Sequence, residues 1–414
     1  MKICMLIRSM PAHGVGGMED HTMTLSRTLV QRGHSVDVVT TAHPNEIEKE
    51  EIEGIRIHYI SHTRSRRYFG GWWRESPPAV FNLHKKVGFD VLHSQSTAAF
   101  SVIKRRVHSV LGLPVVISMH GTAIDEIRSK LNVGLPLTRP TQAFRIAASF
   151  LKYINMFCRI ERFCIPRVDA VIATSKEQYA LIRQYYRVRR DRLYIVYNGI
   201  DVHHFSPESA LMTKTNQGPG QLILVVARLV EDKGIDNIVK AMPIIREQVP
   251  AARLKIVGDG RMRPYLERLV DHLRLREYVS FAGYVTYKEL PDYYRRCNVF
   301  VNPTIRSNGY DLTILQAMAC CCPIVVSNIG SIPTVAKHNC NSLLTSPGDV
   351  HALANNVIHL LGNESLANRL ADAGRKTIEK EFSLEKMASD TESVYCAAMA
   401  EHSNTNDKNR ILYV

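Results

Sequence analysis

Short apolar runs alternate along most of the chain with longer stretches of mixed polarity, the pattern of strands and helices laid down in turn. Strand-like runs stand at Ile3 to Ile7, Arg32 to Thr41, Ile55 to Ile60, Val91 to Ser94, Pro114 to Met119 and Val168 to Ser175. The series resumes at Leu222 to Val226, Leu254 to Val257, Val279 to Val285, Val299 to Asn302 and Ile324 to Val326. Between the first two runs, Met23, Leu25 and Leu29 mark a helix that Gly33 stops. Leu312 to Ala319 predicts another helix, stopped by Pro323. Strands alternating with helices predict an α/β protein with parallel sheets covered on both faces.

Two further stretches are helical. From Gln142 to Phe163, apolar Phe144, Ala147, Phe150, Leu151, Ile154 and Phe157 interleave with Arg145, Lys152 and Arg159. This is an amphipathic stripe, either core-facing or laid on a membrane surface. Phe382 to Lys386 opens a terminal helix, and the polar residues Ser403 to Arg410 read as a frayed end.

A length of 414 residues exceeds one ordinary core and fits two domains. The polar, Gly- and Pro-containing stretch Ser206 to Gly220 reads as the linker. The expected division is 1–205, 206–385 and a terminal helix with tail at 386–414. No apolar run is long enough to span a membrane, and the apolar run after Met1 is too short for a signal peptide. Nine Cys without a Cys-x-x-Cys pair suit a reducing cytosol, and Cys320, Cys321 and Cys322 read as small core fillers.

Charge divides the chain in the same way. Residues 1–200 hold 29 Lys and Arg against 16 Asp and Glu, a net of +13, and residues 201–414 hold 24 against 23, a net of +1. The basic blocks Arg64 to Arg67, Lys104 to Arg106 and Arg187 to Arg192 fit either an anionic membrane surface or a solvated face. No nucleic-acid reading motif accompanies them.

The candidate chemistry stands where strands end. After the first run, Gly14, Gly16 and Gly17 form a Gly-rich turn into a helix, either a phosphate contact or a generic tight connection. His120 with Gly121 follows the fifth run, on the ligand side of an open sheet or as a satisfied loop histidine. Arg228 and Lys233 flank the turn after Leu222 to Val226, where a guanidinium fork and an ammonium can serve one diphosphate. The loop Ser307-Asn308-Gly309-Tyr310-Asp311 precedes the helix Leu312 to Ala319, whose free N–H groups point back into the loop and attract anions and hydroxyl oxygens.

This last stretch resembles the donor-binding motif of glycosyltransferase family 4, a retaining family with the GT-B fold. Gly309, Tyr310, Leu312 and Ala317-Met318-Ala319 match the motif. Asn308 and Gln316 stand where the family has Glu, and Asp311 replaces a Gly. The Gly16-Gly17 turn, Arg228 with Lys233, and the string Ile195 to Asp201 with Phe205-Ser206-Pro207 are similar to further family blocks, although Ala227 replaces a usual Gly.

The resemblance implies two Rossmann-like domains facing across a cleft, with a C-terminal helix crossing back to the first. It implies that His120 contacts the transferred sugar and that Gly16 and Gly17 approach the donor phosphate. Gly283 and Val285 would lie against the base, and Asn308, Gly309, Tyr310, Asp311, Leu312 and Gln316 would hold the donor. Arg228, Lys233, His120 and Asn308 are the catalytic candidates.

The expected function is retaining transfer of a sugar from a UDP- or GDP-type donor to a hydroxyl acceptor. The acceptor expected is a lipid-linked or envelope glycan precursor. No metal and no other cofactor is expected, since no Asp-x-Asp motif is present. The expected location is the cytoplasm, peripheral at the inner membrane face. Two rivals are a catalytically degenerate donor-binding homologue and a sugar-nucleotide epimerase of the same fold, for which no acid/base signature is visible.

Overall fold

The computed structural model describes residues 1–14, 16–68, 71–132, 140–207, 221–307 and 311–411, with the side chains of 129–132, 140–146 and 404–411 left aside. The chain forms two compact units. One holds Met1–Arg128, Leu135–Gly199 and Leu384–Val414, the other Ser129–Gly134 and Ile200–Ser383.

The first unit is built on an eight-stranded sheet in the order β3-β4-β2-β1-β5-β6-β7-β8. The strands are β1 (Lys2–Leu6), β2 (Ser35–Thr41), β3 (Lys49–Ile52), β4 (Ile55–Ile60), β5 (Val91–Gln95), β6 (Val115–Met119), β7 (Ala170–Ala173) and β8 (Leu193–Ile195). All neighbours are parallel except β3, which returns antiparallel along β4. β3 was not expected, because Lys49-Glu50-Glu51-Ile52 carries little apolar signal, and it lies at the sheet edge where charge is tolerated.

Strands β5, β6 and β7 are buried along their whole length, as a sheet covered on both faces requires. Alternation along β1 divides the core. Cys4 and Leu6 pack with Trp72, Leu92 and Ile117 on one face, while Ile3 and Met5 pack with Leu25, Leu29 and Val36 on the other.

The terminal helix Leu384–Ile411 completes that second face with Leu384, Met387, Val394 and Tyr395. It is held there by Glu392, which accepts bidentate bonds from Arg32 at 2.6 and 2.7 Å and one from His34 at 2.9 Å. The segment expected to fray is helical through Ile411.

The second unit has a six-stranded, wholly parallel sheet in the order β11-β10-β9-β12-β13-β14. Its strands are β9 (Gln221–Val226), β10 (Ala252–Val257), β11 (Val279–Gly283), β12 (Val299–Asn302), β13 (Ile324–Ser327) and β14 (Leu343–Thr345). The helix Ile235–Gln248 lays Ile235, Ile238, Val239, Met242 and Ile245, a helical spacing, against Ile223, Val225 and Leu254.

The compact units divide at Gly199/Ile200 and Ser383/Leu384 rather than at 205/206 and 385/386. The reason is a set of hydrogen bonds within the second unit. Arg375 donates to the carbonyls of Val202, Phe205 and Ala319, at 3.0, 2.7 and 2.6 Å from Nη1, and Ile200 N–H donates to Phe382 O at 2.8 Å. The crossing-like string is therefore already part of the second body from Ile200 on.

The stripe Gln142 to Phe163 is one helix from Pro140 to Met156, continued by a π-helical stretch, Phe157–Glu161. Its apolar positions do not all turn inward. Leu151 and Ile154 are 68% and 48% exposed. No helix among the described residues is long and apolar enough to cross a membrane.

Candidate active site

In the second unit the strand order reverses between β9 and β12, so the loops leaving their carboxyl ends diverge and open a place for a ligand. The loop after β9 carries Arg228 and a short 3-10 helix, Glu231–Lys233, ending on Gly234. That turn docks on the loop after β12. Thr304 Oγ1 donates to Asp232 O at 2.9 Å, as does Ile305 N–H at 3.0 Å. Gly234 has φ +59°, and a Cβ there would stand 2.4 Å from Pro303 O, so no other residue fits without moving backbone.

This close docking buries Lys233 to 6% exposure and sets its ammonium on the carboxylate of Asp311, the cap residue of helix Leu312–Ala319. Asn302, the last residue of β12, donates from Nδ2 to the other Asp311 oxygen at 3.0 Å. Burial by itself would raise the Asp311 carboxyl, but Lys233, the Asn302 amide and nearby Arg306 outweigh it and hold it below its ordinary value.

The two cations expected to work together are thus unlike. Lys233 is buried and paired, whereas Arg228 is exposed with no ion-pair partner among the described residues. An ammonium has three N–H donors, so its bond to Asp311 leaves two for a ligand. Asp311, expected as a donor-binding residue, acts on Lys233 here. Asn302 was missed; its position at a strand end beside the switch point was the available signal.

Gln316 is 6% exposed, and its Oε1 accepts from the buried Tyr294 hydroxyl at 2.8 Å. Its amide carbonyl is therefore turned into the core. Leu312 opens the helix, and Gly283 closes β11 with φ +71° and accepts from Gly258 N–H at 2.7 Å. Val285 follows in the adjoining loop, half-buried beside exposed Tyr284. Asn308, Gly309 and Tyr310 lie outside the described residues.

The first unit has its own switch point, between β1 and β5. Gly16 caps the helix Gly17–Gln31 with extended backbone, and Gly17 has open space where a side chain would go. At Gly16 a Cβ would stand 2.5 Å from the carboxylate of Glu19, which is buried and bonded to Ser9 Oγ. Beside Glu19, burial and then the Glu19 charge push the Asp20 carboxyl up to about 6.

His120 follows β6 directly, half-buried, with Nε2 2.6 Å from Gln95 Oε1. Burial lowers its pKa to about 4, which keeps the ring neutral. Its ring meets His21 edge-on at 4.5 Å between centroids. His21, Gln95 and Ser9 were not singled out by the sequence, in which they lie apart and join no motif.

Similarity to known proteins agrees with this geometry. The profile for Glycosyltransferase Family 4 matches residues 15–204, and that for Glycosyl transferases group 1 matches residues 212–377. The chain belongs to glycosyltransferase family 4. Over 96% of its length it is 28% identical to an uncharacterized glycosyltransferase, MJ1607, of Methanocaldococcus jannaschii, of which 99% is covered.

Among solved structures, sucrose-phosphate synthase from Thermosynechococcus elongatus superposes with a TM-score of 0.76 at 22% identity, covering 96% of this chain and 99% of that one. Anabaena Alr3699/HepE in complex with UDP does so with a TM-score of 0.72 at 19% identity, covering 96% and 100%. The fold is GT-B. As a family member the protein is a glycosyltransferase with a nucleotide-sugar donor.

Proposed function

We propose that the protein transfers a hexosyl group from a UDP- or GDP-type sugar to a hydroxyl acceptor, with retention of anomeric configuration and without a metal. The observation that carries this reading is the buried Lys233, paired with Asp311, which Asn302 holds in turn, at the β9/β12 switch point with Arg228 on the same loop. In such a transfer the anomeric C–O bond breaks and the electron pair leaves with the diphosphate. Preorganised cations stabilise that charge as it develops.

The acceptor oxygen bonds to the anomeric carbon on the face the diphosphate leaves, and its proton passes to a phosphate oxygen. His120 accepts a hydroxyl of the sugar, and Asn308 acts by positioning. The UDP complex of HepE supports a uridine donor. The basic first unit supports a lipid-linked or envelope acceptor presented at an anionic membrane face.

A second reading, a donor-binding homologue without turnover, is favoured by one observation: Gln316 spends its carbonyl on Tyr294. The test is incubation with a panel of UDP- and GDP-sugars plus hydroxyl acceptors after exhaustive chelation, with product anomers read by NMR. Transfer with retention is expected, and Arg228→Ala is expected to slow it by about 10²–10³. Binding of a nucleotide sugar with neither transfer nor hydrolysis contradicts the first reading. Activity that returns only with magnesium or manganese contradicts its metal independence.

A further inference from the structure

We propose that Gln95, backed by the buried line of His93 and Tyr395, sets which nitrogen of His120 carries its proton, and so presents Nδ1 of His120 as a hydrogen-bond acceptor. All four residues belong to the first unit. Tyr395, His93 and Gln95 are completely buried, so water does not compete for their bonds. The contacts run in one line. Tyr395 Oη lies 2.7 Å from His93 Nδ1, and His93 Nε2 lies 2.8 Å from Ser118 Oγ and 3.5 Å from Gln95 Nε2. Gln95 Oε1 lies 2.6 Å from His120 Nε2.

Burial holds both imidazoles neutral, His93 at about 3 and His120 at about 4, so each ring has one donor and one acceptor. An amide nitrogen only donates. Gln95 Nε2 therefore faces an acceptor at His93 Nε2, to which the Ser118 hydroxyl donates as well, and this places the His93 proton on Nδ1, donating to Tyr395 Oη. At the other end Gln95 Oε1 only accepts, which places the His120 proton on Nε2. Its Nδ1 is left as an acceptor, with no protein partner among the described residues.

The opposite arrangement is self-consistent too, which is what makes the line a relay rather than four separate bonds. If Tyr395 donated to Nδ1 of His93, the His93 proton would stand on Nε2, and the Gln95 amide would turn its oxygen toward it. Its nitrogen would then donate to His120, whose proton would move to Nδ1. One change at Tyr395 thus reverses what His120 offers to a hydroxyl. Tyr395 and His93 are positioning residues. His21 is 8% exposed, and its Nε2 has no partner among the described residues, so it adds no second constraint on the His120 proton.

The test is the tautomer of each ring, read from imidazole ¹⁵N shifts in the full-length protein. Wild type is expected to show His93 protonated on Nδ1 and His120 on Nε2. In Tyr395→Phe the Nδ1–H of His93 would be a buried donor without an acceptor, so both rings are expected to switch. In Gln95→Glu a carboxylate accepts from both sides, and only His93 is expected to switch. If Tyr395→Phe fails to fold, Gln95→Glu decides instead, and a His93 that keeps its proton on Nδ1 there breaks the line and overturns the proposal. A wild-type His120 protonated on Nδ1, or a His120 unmoved in Tyr395→Phe, overturns the proposal.

The kinetic consequence rests on the reading that His120 contacts the sugar. Tyr395→Phe is expected to lower kcat/KM about tenfold, as loss of one hydrogen bond does, and to have no effect in a His120→Ala background. Switched tautomers with unchanged kcat/KM would leave the relay standing and remove His120 from the sugar.

Discussion

The two units share a strand order around their switch points but treat buried charge at the carboxyl ends of their strands in opposite ways, although near the start of β2 the first unit also holds buried Asp37 below its ordinary value with His58 and Arg56. In the second, Asp311 is kept ionised because Lys233 and the Asn302 amide answer its charge inside the fold. In the first, His21, His93 and His120 are kept neutral by burial, and Glu161 is pushed up to about 7. Glu161 has partners, since Tyr186 donates to it and Ala123 N–H lies 3.0 Å away, but neither is charged, and desolvation wins. The lesson is that topology provides the place, and the nearest counter-ion decides whether the place handles an anion or a hydroxyl.

Removing the counter-ion gives the largest expected effect. Lys233→Met keeps the bulk and leaves Asp311, a half-buried carboxylate, with the Asn302 amide but without its counter-ion, which destabilises by about 1–3 kcal/mol. It also removes a stabiliser of the leaving group, lowering kcat by about 10²–10³. Lys233→Met with Asp311→Asn should recover most of the stability and none of the turnover, measured by urea unfolding and by transfer at saturating donor. If turnover recovers with stability, Lys233 is structural.

The next effect tests the neutral unit. The raised pKa of Glu161 means that the folded state holds its proton longer than the unfolded chain does. Stability should therefore fall as pH rises from about 4.5, the ordinary value, to about 7, and stay lower above it. The full difference is about 3 kcal/mol from a shift of this size. Glu161→Gln should abolish this part of the pH dependence in denaturant midpoints compared at pH 5 and pH 8. An unchanged slope in the variant would mean that Glu161 is already ionised in the fold.

The smallest effect concerns the outer surface, where the net charge of residues 1–200 is +13 and that of residues 201–414 is +1. Attraction to acidic liposomes should weaken steeply with salt, since exposed charges are screened over about 8 Å at physiological ionic strength. Reversing Arg64, Arg66 and Arg67 should weaken it further without altering donor affinity. Binding that ignores salt, or none at all, favours a merely solvated basic face.

Much of the architecture is legible in the residues themselves. Buried parallel strands are largely apolar, so β1, β6 and β9 stand out as runs, whereas β5 is buried throughout and yet ends in His93-Ser94-Gln95, and the turn from Arg228 to Gly234 announces itself by charge and glycine. What the sequence hides is pairing across distance. Asp311 and Lys233 are 78 residues apart, and His93 and Tyr395 are 302 apart, so nothing local marks either contact. The edge strand β3 and the early division at Gly199/Ile200 escape notice because charged edges and hydrogen-bonded loops carry no apolar period.

The central claim is that this neutral variant of the family's donor motif turns over as it stands, with Asn308 and Gln316 in place of carboxylates. The measurement that tests it most directly is the rate of sugar transfer by wild type beside that of the double variant Asn308→Glu with Gln316→Glu, using the same donor and acceptor. Wild type should transfer sugar, and the double variant should be no faster. A new carboxylate at 308 adds negative charge near Asp311, which already occupies Lys233, and a glutamate at 316 exchanges an amide for a charge beside buried Tyr294. Transfer by the double variant alone, with wild type silent, would contradict the claim and make the protein a donor-binding member of its family.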